Sequence, residues 1–287
     1  MGNIDKTFMY RFILLFIGLI LCLSCSAAEK KEISASSIIK LLKKGNHIHF
    51  HDKIIIDDLD FSKGSDPFIF SPNKLQSEIK SNVFFSNCIF LGKVTSNGKK
   101  GDVLVKSCFR NNLIFFGCDF RGEVDFSEMI VNGLVDFSKS VFRENVNFNG
   151  IAVWSKDAYF SEIKAEKRFM TIYSSFYGNL YFISGEFLDN VSFQQTYING
   201  DFVINNSNFQ KQAGFDNMKI DGDSFFNYVV FEAFANFMGT HFLKSVDFNK
   251  TQFNQLTNFE RTYFWEKDFL MNNKQLIINN DLSDEKD

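Results

Sequence analysis

Large apolar side chains recur through the last two thirds of the chain at alternating steps of five and six residues. Phe182, Phe187 and Phe193 set the rhythm, and Phe209, Phe215, Phe226, Phe231, Phe237, Phe242, Phe248, Phe253, Phe259 and Phe264 keep it, with Ile198, Ile204 and Ile220 in most of the gaps. The pattern is an 11-residue repeat with its large residues at positions four and nine. A short fixed period predicts a solenoid, in which each unit packs only on its neighbours. Position two is mostly Val, Leu, Ala or Phe (Val124, Val135, Leu180, Val191), and position seven is mostly small (Cys88, Ser140, Gly185, Thr196, Thr240). The residues between are polar. Apolar residues two apart share one side of a strand, so the pattern predicts short strands joined by turns around a filled interior. Eleven residues also make three helical turns. Steps of five and six, however, put successive Phe on opposite sides of a helix, and the repeats are rich in Phe, Val, Asn, Asp, Ser and Gly, which are poor helix formers.

The repeats align from Asn82 (NVFFSNCIFLG), with an eight-residue insertion, Lys93 to Lys100, before GDVLVKSCFRN. Lys156 is one extra residue, after which the register runs unbroken to Ile277. This gives about 17 repeats. The rhythm weakens at Ala165 and Thr171, where Phe is expected. Ahead of the array, Ser34 to Lys44 reads as a short amphipathic helix: Ser34 or Ser36 caps it, Ile38, Ile39 and Leu42 form its apolar stripe, and Gly45 stops it. His47 to Phe61 alternates with period two and reads as one or two strands. Both prolines of the chain, Pro67 and Pro72, fall in the looser stretch Phe61 to Lys80. Neither lies in the array, as expected where backbone donors serve ladders. The division is thus a leader (1–28), an N-terminal cap (29–81), the repeat array (82–277) and an acidic, disordered tail (278–287).

Segments such as LVDFSKSVFRE resemble the pentapeptide-repeat family in a variant of pattern xxFxxxxFxxx. The resemblance covers Asn82 to Ile277, and the stretch ISASSIIKLLKKG…IIIDDLDFS resembles the lead-in of some members. It implies an all-β solenoid: a right-handed quadrilateral parallel β-helix in which two 11-residue repeats make one coil, with a short N-terminal capping helix. The usual form of the family is strictly five-fold, and the 5+6 spacing departs from it.

The first residues change the picture of where the protein works. Lys6 and Arg11 precede FILLFIGLILCL, an apolar run too short to span a bilayer but suited to a signal peptide. Ser26-Ala27-Ala28 fits a signal-peptidase site, while Leu23-Ser24-Cys25 resembles a bacterial lipobox that would make Cys25 a lipidated N-terminus. Either way the chain is expected to be exported to the bacterial cell envelope or secreted, and with Cys25 modified it is tethered to a membrane. The formal net charge is -3. Such near balance argues against non-specific nucleic-acid binding, and equally against a DNA mimic that binds a type II topoisomerase, a role some family members have.

Candidate chemistry is sparse. No nucleophile–base arrangement, phosphate loop or cofactor motif stands out, so the expected function is a non-catalytic interaction scaffold with a protein partner. At position three, alternate repeats stack into a column, Tyr159, Tyr181, Val203, Phe225, Asp247 and Phe269, of which Tyr159, Tyr181, Val203, Phe225 and Phe269 form a candidate interaction stripe for that partner or for a glycan. The opposite column, Met170, Ser192, Gly214, Asn236 and Asn258, is polar. Position eight stacks Tyr197, Lys219, His241 and Tyr263. Cys88 and Cys118 lie one coil apart, within reach of a disulfide. His47, His49 and His51 project from one side of a strand, the only hint of a metal pair. Leu276 to Ile278 would cap the last coil or join two copies as a homodimer.

Overall fold

The computed structural model describes residues 30–154, 156–267, 269–273 and 276. The chain divides into two compact units, Met1–Lys31 and Glu32–Asp287. The leader, with Cys25, and the tail after Leu276 lie outside the described residues.

Among the described residues, the second unit is a parallel β-solenoid with four sheets. Face one holds nine strands, beginning at Ile48–His51. Face two holds ten and includes Lys53–Ile55, face three holds nine beginning at Leu59–Asp60, and face four holds eleven and includes Lys74–Ile79. Successive repeats alternate. One lays positions two and three on face one and positions eight and nine on face two; the next does the same on faces three and four. Residues 22 apart therefore sit in register, as Tyr181 does with Val203 and Phe187 with Phe209.

The interior is a set of phenylalanine columns. Phe160 lies over Phe182 at 4.8 Å and 7°, Phe187 over Phe209 at 4.7 Å and 4°, and Phe215 over Phe237 at 4.8 Å and 5°. These spacings match the separation of hydrogen-bonded strands, so the ladder itself sets the stacking distance. Rings in neighbouring columns meet edge to face, as Phe169 and Phe182 do at 89°, which is the arrangement the ring quadrupole favours. The weak stretch is filled: Ala165 and Thr171 are fully buried, and Phe169 at position two supplies the missing ring.

The coil stack starts earlier than Asn82. His47 to Asp57 is itself a repeat: Ile48 pairs with Val83 and Ile54 with Ile89. Leu59, Asp60 and Phe61 then begin the next repeat, with Leu59 paired to Val94. Hairpins inserted at one corner interrupt the period of the sequence there. In the first coil the chain leaves after Phe61, runs through the antiparallel pair Phe68–Ser71 and Lys74–Ile79, and rejoins the repeat at Ser77. In the second, Val94–Thr95 occupies face three, and the hairpin Asn97–Lys100 with Val103–Phe109 follows. The eight extra residues thus fall inside a repeat, after position four, rather than ahead of it.

Two devices make the regular corners. Position six is left-handed in repeat after repeat: Asn87, Glu128, Lys139, Glu162, Tyr173, Ser184, Gln195, Asn206 and Asn217 all have φ between 51° and 61°, and Gly117, Gly150 and Gly239 take the same place. Position seven is small for a hydrogen-bonding reason. Ser140, Ser174, Ser207 and Thr262 donate their hydroxyls to the position-four carbonyls of Phe115, Phe148, Phe182 and Phe237, one coil earlier, at 2.5 to 2.9 Å. Cys88 and Cys118 share this role, their thiols directed at Phe50 O and Phe85 O at 3.6 and 3.7 Å. The bridge allowed between them is not formed; both are buried thiols committed to backbone carbonyls.

The solenoid is closed at its first coil by helix α1 (Ala35–Lys43), whose Ala35, Ile38 and Leu42 are buried. Ser34 caps it, accepting from the Ser37 N–H at 3.3 Å. At the other end Gly45, at φ 76°, and Asn46 donate to Leu42 O and Leu41 O in a Schellman stop. At the last coil, helix α2 (Phe269–Asn272) lays Phe269 on Phe264 at 4.5 Å, and Leu276 is buried beside this end.

Candidate functional site

Four of the five residues of the position-three stripe lie in one column, which is flatter than a ridge. Tyr159, Tyr181, Val203, Phe225 and Asp247 follow in register on face one. Each of the first four is only half exposed. Tyr159 and Tyr181 stack at 4.9 Å, and the Tyr159 hydroxyl donates to Asp157 at 3.1 Å. Burial, that bond and the Asp157 charge push the Tyr159 phenol up to about 12. Burial raises Tyr181 as well. Phe269 does not belong to this column. The strand rhythm breaks before it, and as part of α2 it is buried over the last coil.

The histidines are spent on structure. His47 Nδ1 accepts the Asn82 N–H at 2.9 Å, His49 packs edge-on to Phe84, and His51 bonds Ser86 at 2.8 Å and Asp52 at 2.7 Å. Among the described residues no group of three or more His, Cys, Asp or Glu is placed to hold a metal ion.

Several aromatic rings of face four reach solvent. Trp154 is 50% exposed and stacks on Tyr177 at 4.5 Å and 9°; Tyr177 meets Tyr197 edge-on at 5.9 Å. Farther along, Tyr197, Lys219, His241 and Tyr263 stack as the position-eight column. Lys219 lies over the Tyr197 ring at 4.9 Å and pairs with Asp221 at 2.9 Å, while the Tyr197 hydroxyl donates to Asp221 at 2.6 Å. Burial would raise the Asp221 carboxyl, but Tyr197, Lys219 and Asn199 outweigh it and hold it low. Tyr263 and Trp265 extend the exposed row to the last coil. The row mixes positions eight and ten, which is why no single column of the sequence displays it.

At the other end of the row, between Trp154 and the first hairpin, face four carries a groove of about 490 Å³. Its floor is Cys108 and Ile130, Trp154 and Phe70 border it, and Gln76, Arg110 and Asn132 supply polar atoms. Arg110 Nε donates to Glu78 Oε1, and that bond raises the guanidinium pKa further. Burial pushes the Cys108 thiol up. The hairpin that forms one side is clamped by Glu128, which pairs with Lys74 at 3.2 Å and Lys106 at 3.5 Å. A second, smaller hollow on face three lies where Gly214 leaves its column without a side chain; there Asp216 is buried and receives both bonds of the Gln194 amide at 2.9 Å.

Comparison with family models, with curated proteins and with solved structures finds no match to this chain. Among the described residues no helix is long and apolar enough to cross a membrane.

Proposed function

We propose that the chain is a pentapeptide-repeat scaffold, exported to the bacterial cell envelope and tethered there through a lipidated Cys25, that binds a protein partner without catalysing a reaction. The observation that carries the binding role is the aromatic row on face four, in which Trp154, Tyr177, Tyr263 and Trp265 are exposed and Tyr197 is half buried. Tyr and Trp offer large, amphipathic contact area and are enriched in the energetic centres of interfaces. The row replaces the face-one stripe as the binding surface, because the face-one rings lie half buried over their own coils. A rigid stack suits this work, since contacts spaced by the ladder need little ordering on binding.

Two measurements test the reading. Labelled palmitate enters the wild-type protein in bacteria and is lost with Cys25→Ala; wild type without label refutes the tether. A photo-crosslinker at Tyr177 captures one specific envelope protein, and Tyr263→Ala with Trp265→Ala reduces that product; a yield unchanged by the pair refutes the row.

A further inference from the structure

The two ends of the solenoid are unlike, and the first carries an apolar tip. Face four ends there in the strand Phe68–Ser71, which pairs with Lys74–Ile79 on one side and with no strand among the described residues on the other. Phe68, Ile69 and Phe70 are 44%, 80% and 59% exposed, the one run of three large hydrophobic residues left to solvent among the described residues. Successive residues of a strand point to opposite sides, so Phe68 and Ile69 leave both sides of the tip in water. Leu104, on the adjoining strand Val103–Phe109, is exposed as well. Contiguous apolar surface of this kind marks a site that another body covers.

Charge identifies that body. Helix α1 closes the same end, and Lys40, Lys43 and Lys44 are exposed away from its buried stripe of Ala35, Ile38 and Leu42. Lys99 and Lys100 are exposed on the second hairpin. From the cap to the second hairpin, residues 32–104 hold ten lysines and eight carboxylates, a net +2, whereas residues 105–287 hold 17 basic and 24 acidic side chains, a net -7. The first-coil end is therefore the positive pole of an acidic chain. Exposed apolar residues beside lysines suit the boundary of an anionic bilayer, where the apolar groups enter among the headgroups and the lysines meet phosphates. A second copy docked head to head would set two basic surfaces against each other. A peptide added along the free edge would pair with the backbone of Phe68–Ser71 but would not take in both sides of the tip.

We infer that the first-coil end of the solenoid seats on an anionic lipid surface, with Phe68, Ile69 and Phe70 at the boundary of headgroups and acyl chains and the lysines of α1 and of Asn97–Lys100 against lipid phosphates. Such seating deepens the membrane part of the proposed function and rests on that reading. The second unit starts at Glu32, and Ile33 O accepts the Ile56 N–H of the first coil at 3.3 Å. The seven residues of chain from Cys25 to Glu32 reach no more than about 25 Å. A lipid on Cys25 therefore holds this end, rather than the last coil, at the bilayer.

The test uses the full chain as bacteria process it, with vesicles of phosphatidylglycerol and phosphatidylcholine and with vesicles of phosphatidylcholine alone. Trp154→Phe and Trp265→Phe remove the two native indoles, and Ile69→Trp then supplies the single reporter. With anionic vesicles its emission shifts to the blue, and lipids brominated on the upper acyl chain quench it. Tyr263→Trp in the same background is not quenched. Affinities are measured by vesicle sedimentation in Cys25→Ala, where no lipid contributes. Lys40→Gln, Lys43→Gln and Lys44→Gln together, and Ile69→Asp alone, each weaken binding to anionic vesicles about tenfold or more, the equivalent of about 1.4 kcal/mol, with wild-type circular dichroism. Palmitate label without quenching of Ile69→Trp refutes the seating and keeps the tether. Quenching in Cys25→Ala that the lysine changes abolish keeps the seating, whatever the label shows. Equal quenching at both reporter positions, equal affinity for neutral vesicles, or unchanged affinity in the lysine and Ile69→Asp variants overturns the inference. A dimer in solution that Ile69→Asp abolishes, without vesicle binding, gives the tip to a second copy and overturns it too.

Discussion

The Ser207 hydroxyl donates to the carbonyl of Phe182, one coil earlier, at 2.5 Å, while it accepts the Gly185 N–H at 2.9 Å. One small side chain thus satisfies two buried backbone groups that the corner withholds from the ladder. Ser140 does the same for Phe115 O and the Cys118 N–H. Ser207→Ala should therefore lower stability by about 2 kcal/mol or more, the cost of orphaned buried polar groups. Ser207→Thr, the residue at 196, 240, 251 and 262, should be close to neutral. Urea unfolding of the three proteins checks it, and an Ala variant as stable as wild type contradicts this account of position seven.

Gln195 stands in the left-handed corner at φ 54°. That conformation costs a residue with a Cβ about 1–2 kcal/mol, and glycine escapes it at a price in chain entropy. Gln195→Gly should raise stability by roughly 0.5–1 kcal/mol, and Gln195→Val, branched at Cβ, should lower it. Thermal melts that rank Val above Gly would show that position six tolerates its backbone for another reason.

Glu128 keeps a side chain at the same kind of corner, φ 53°, and uses it to hold Lys74 and Lys106. Burial would raise its carboxyl, yet the two lysines hold it below the ordinary 4.5. A depressed folded value means that the clamp's stabilisation is complete above the unfolded value and is lost as pH falls through the folded one. Amide exchange in the Phe68–Ile79 hairpin should accelerate below about pH 4.5 relative to the later coils, and Glu128→Gln should remove that acid response. Lys74 and Glu128 are both about half exposed, so the effect should also shrink in high salt.

Tyr159 carries the opposite sign. Its phenol is shifted from 10.0 to about 12, chiefly by burial and by its bond to Asp157. The raised folded value contributes stability that is full below pH 10 and disappears as pH climbs toward 12. Ultraviolet titration should show one late tyrosinate step that Tyr159→Phe deletes, with a gentler loss of stability in alkali.

The fold was legible because one residue type marks it. Phe cannot be exchanged freely in a column whose spacing the strands dictate, so the period survives in plain sight from Phe182 to Phe264. The same logic extends to the first coil, where Phe50 and Phe61 are eleven apart. That clue was hidden because Ile55 replaces Phe at position nine and a hairpin parts Phe61 from Ser77. The left-handed corner was not legible at all: Glu, Lys, Tyr, Ser, Gln and Arg occur there as well as Asn and Gly, because the side chain points to solvent and only the backbone is constrained. The candidate surface was half legible. Stacking order gave the face-one column, but sequence spacing does not say whether Tyr159 and Tyr181 lie flat or stand out. The Trp154–Tyr177 pair escaped because 23 residues, not 22, separate its members across the extra Lys156, and the groove escaped because it depends on Phe70 and Gln76 from an inserted hairpin.

The two-repeat coil imposes a rule of phase on how such a chain can change. Removing residues 201–222 would excise one whole circuit and let Leu180 seat directly under Ser224 with every outward side chain still on its own wall. Removing only residues 168–178 would advance everything downstream by half a circuit, carry Tyr181 across to the polar wall above Asn147, and set two unlike surfaces end to end. Length can therefore drift only in even steps, and the surface that meets a ligand is inherited as a strip rather than residue by residue.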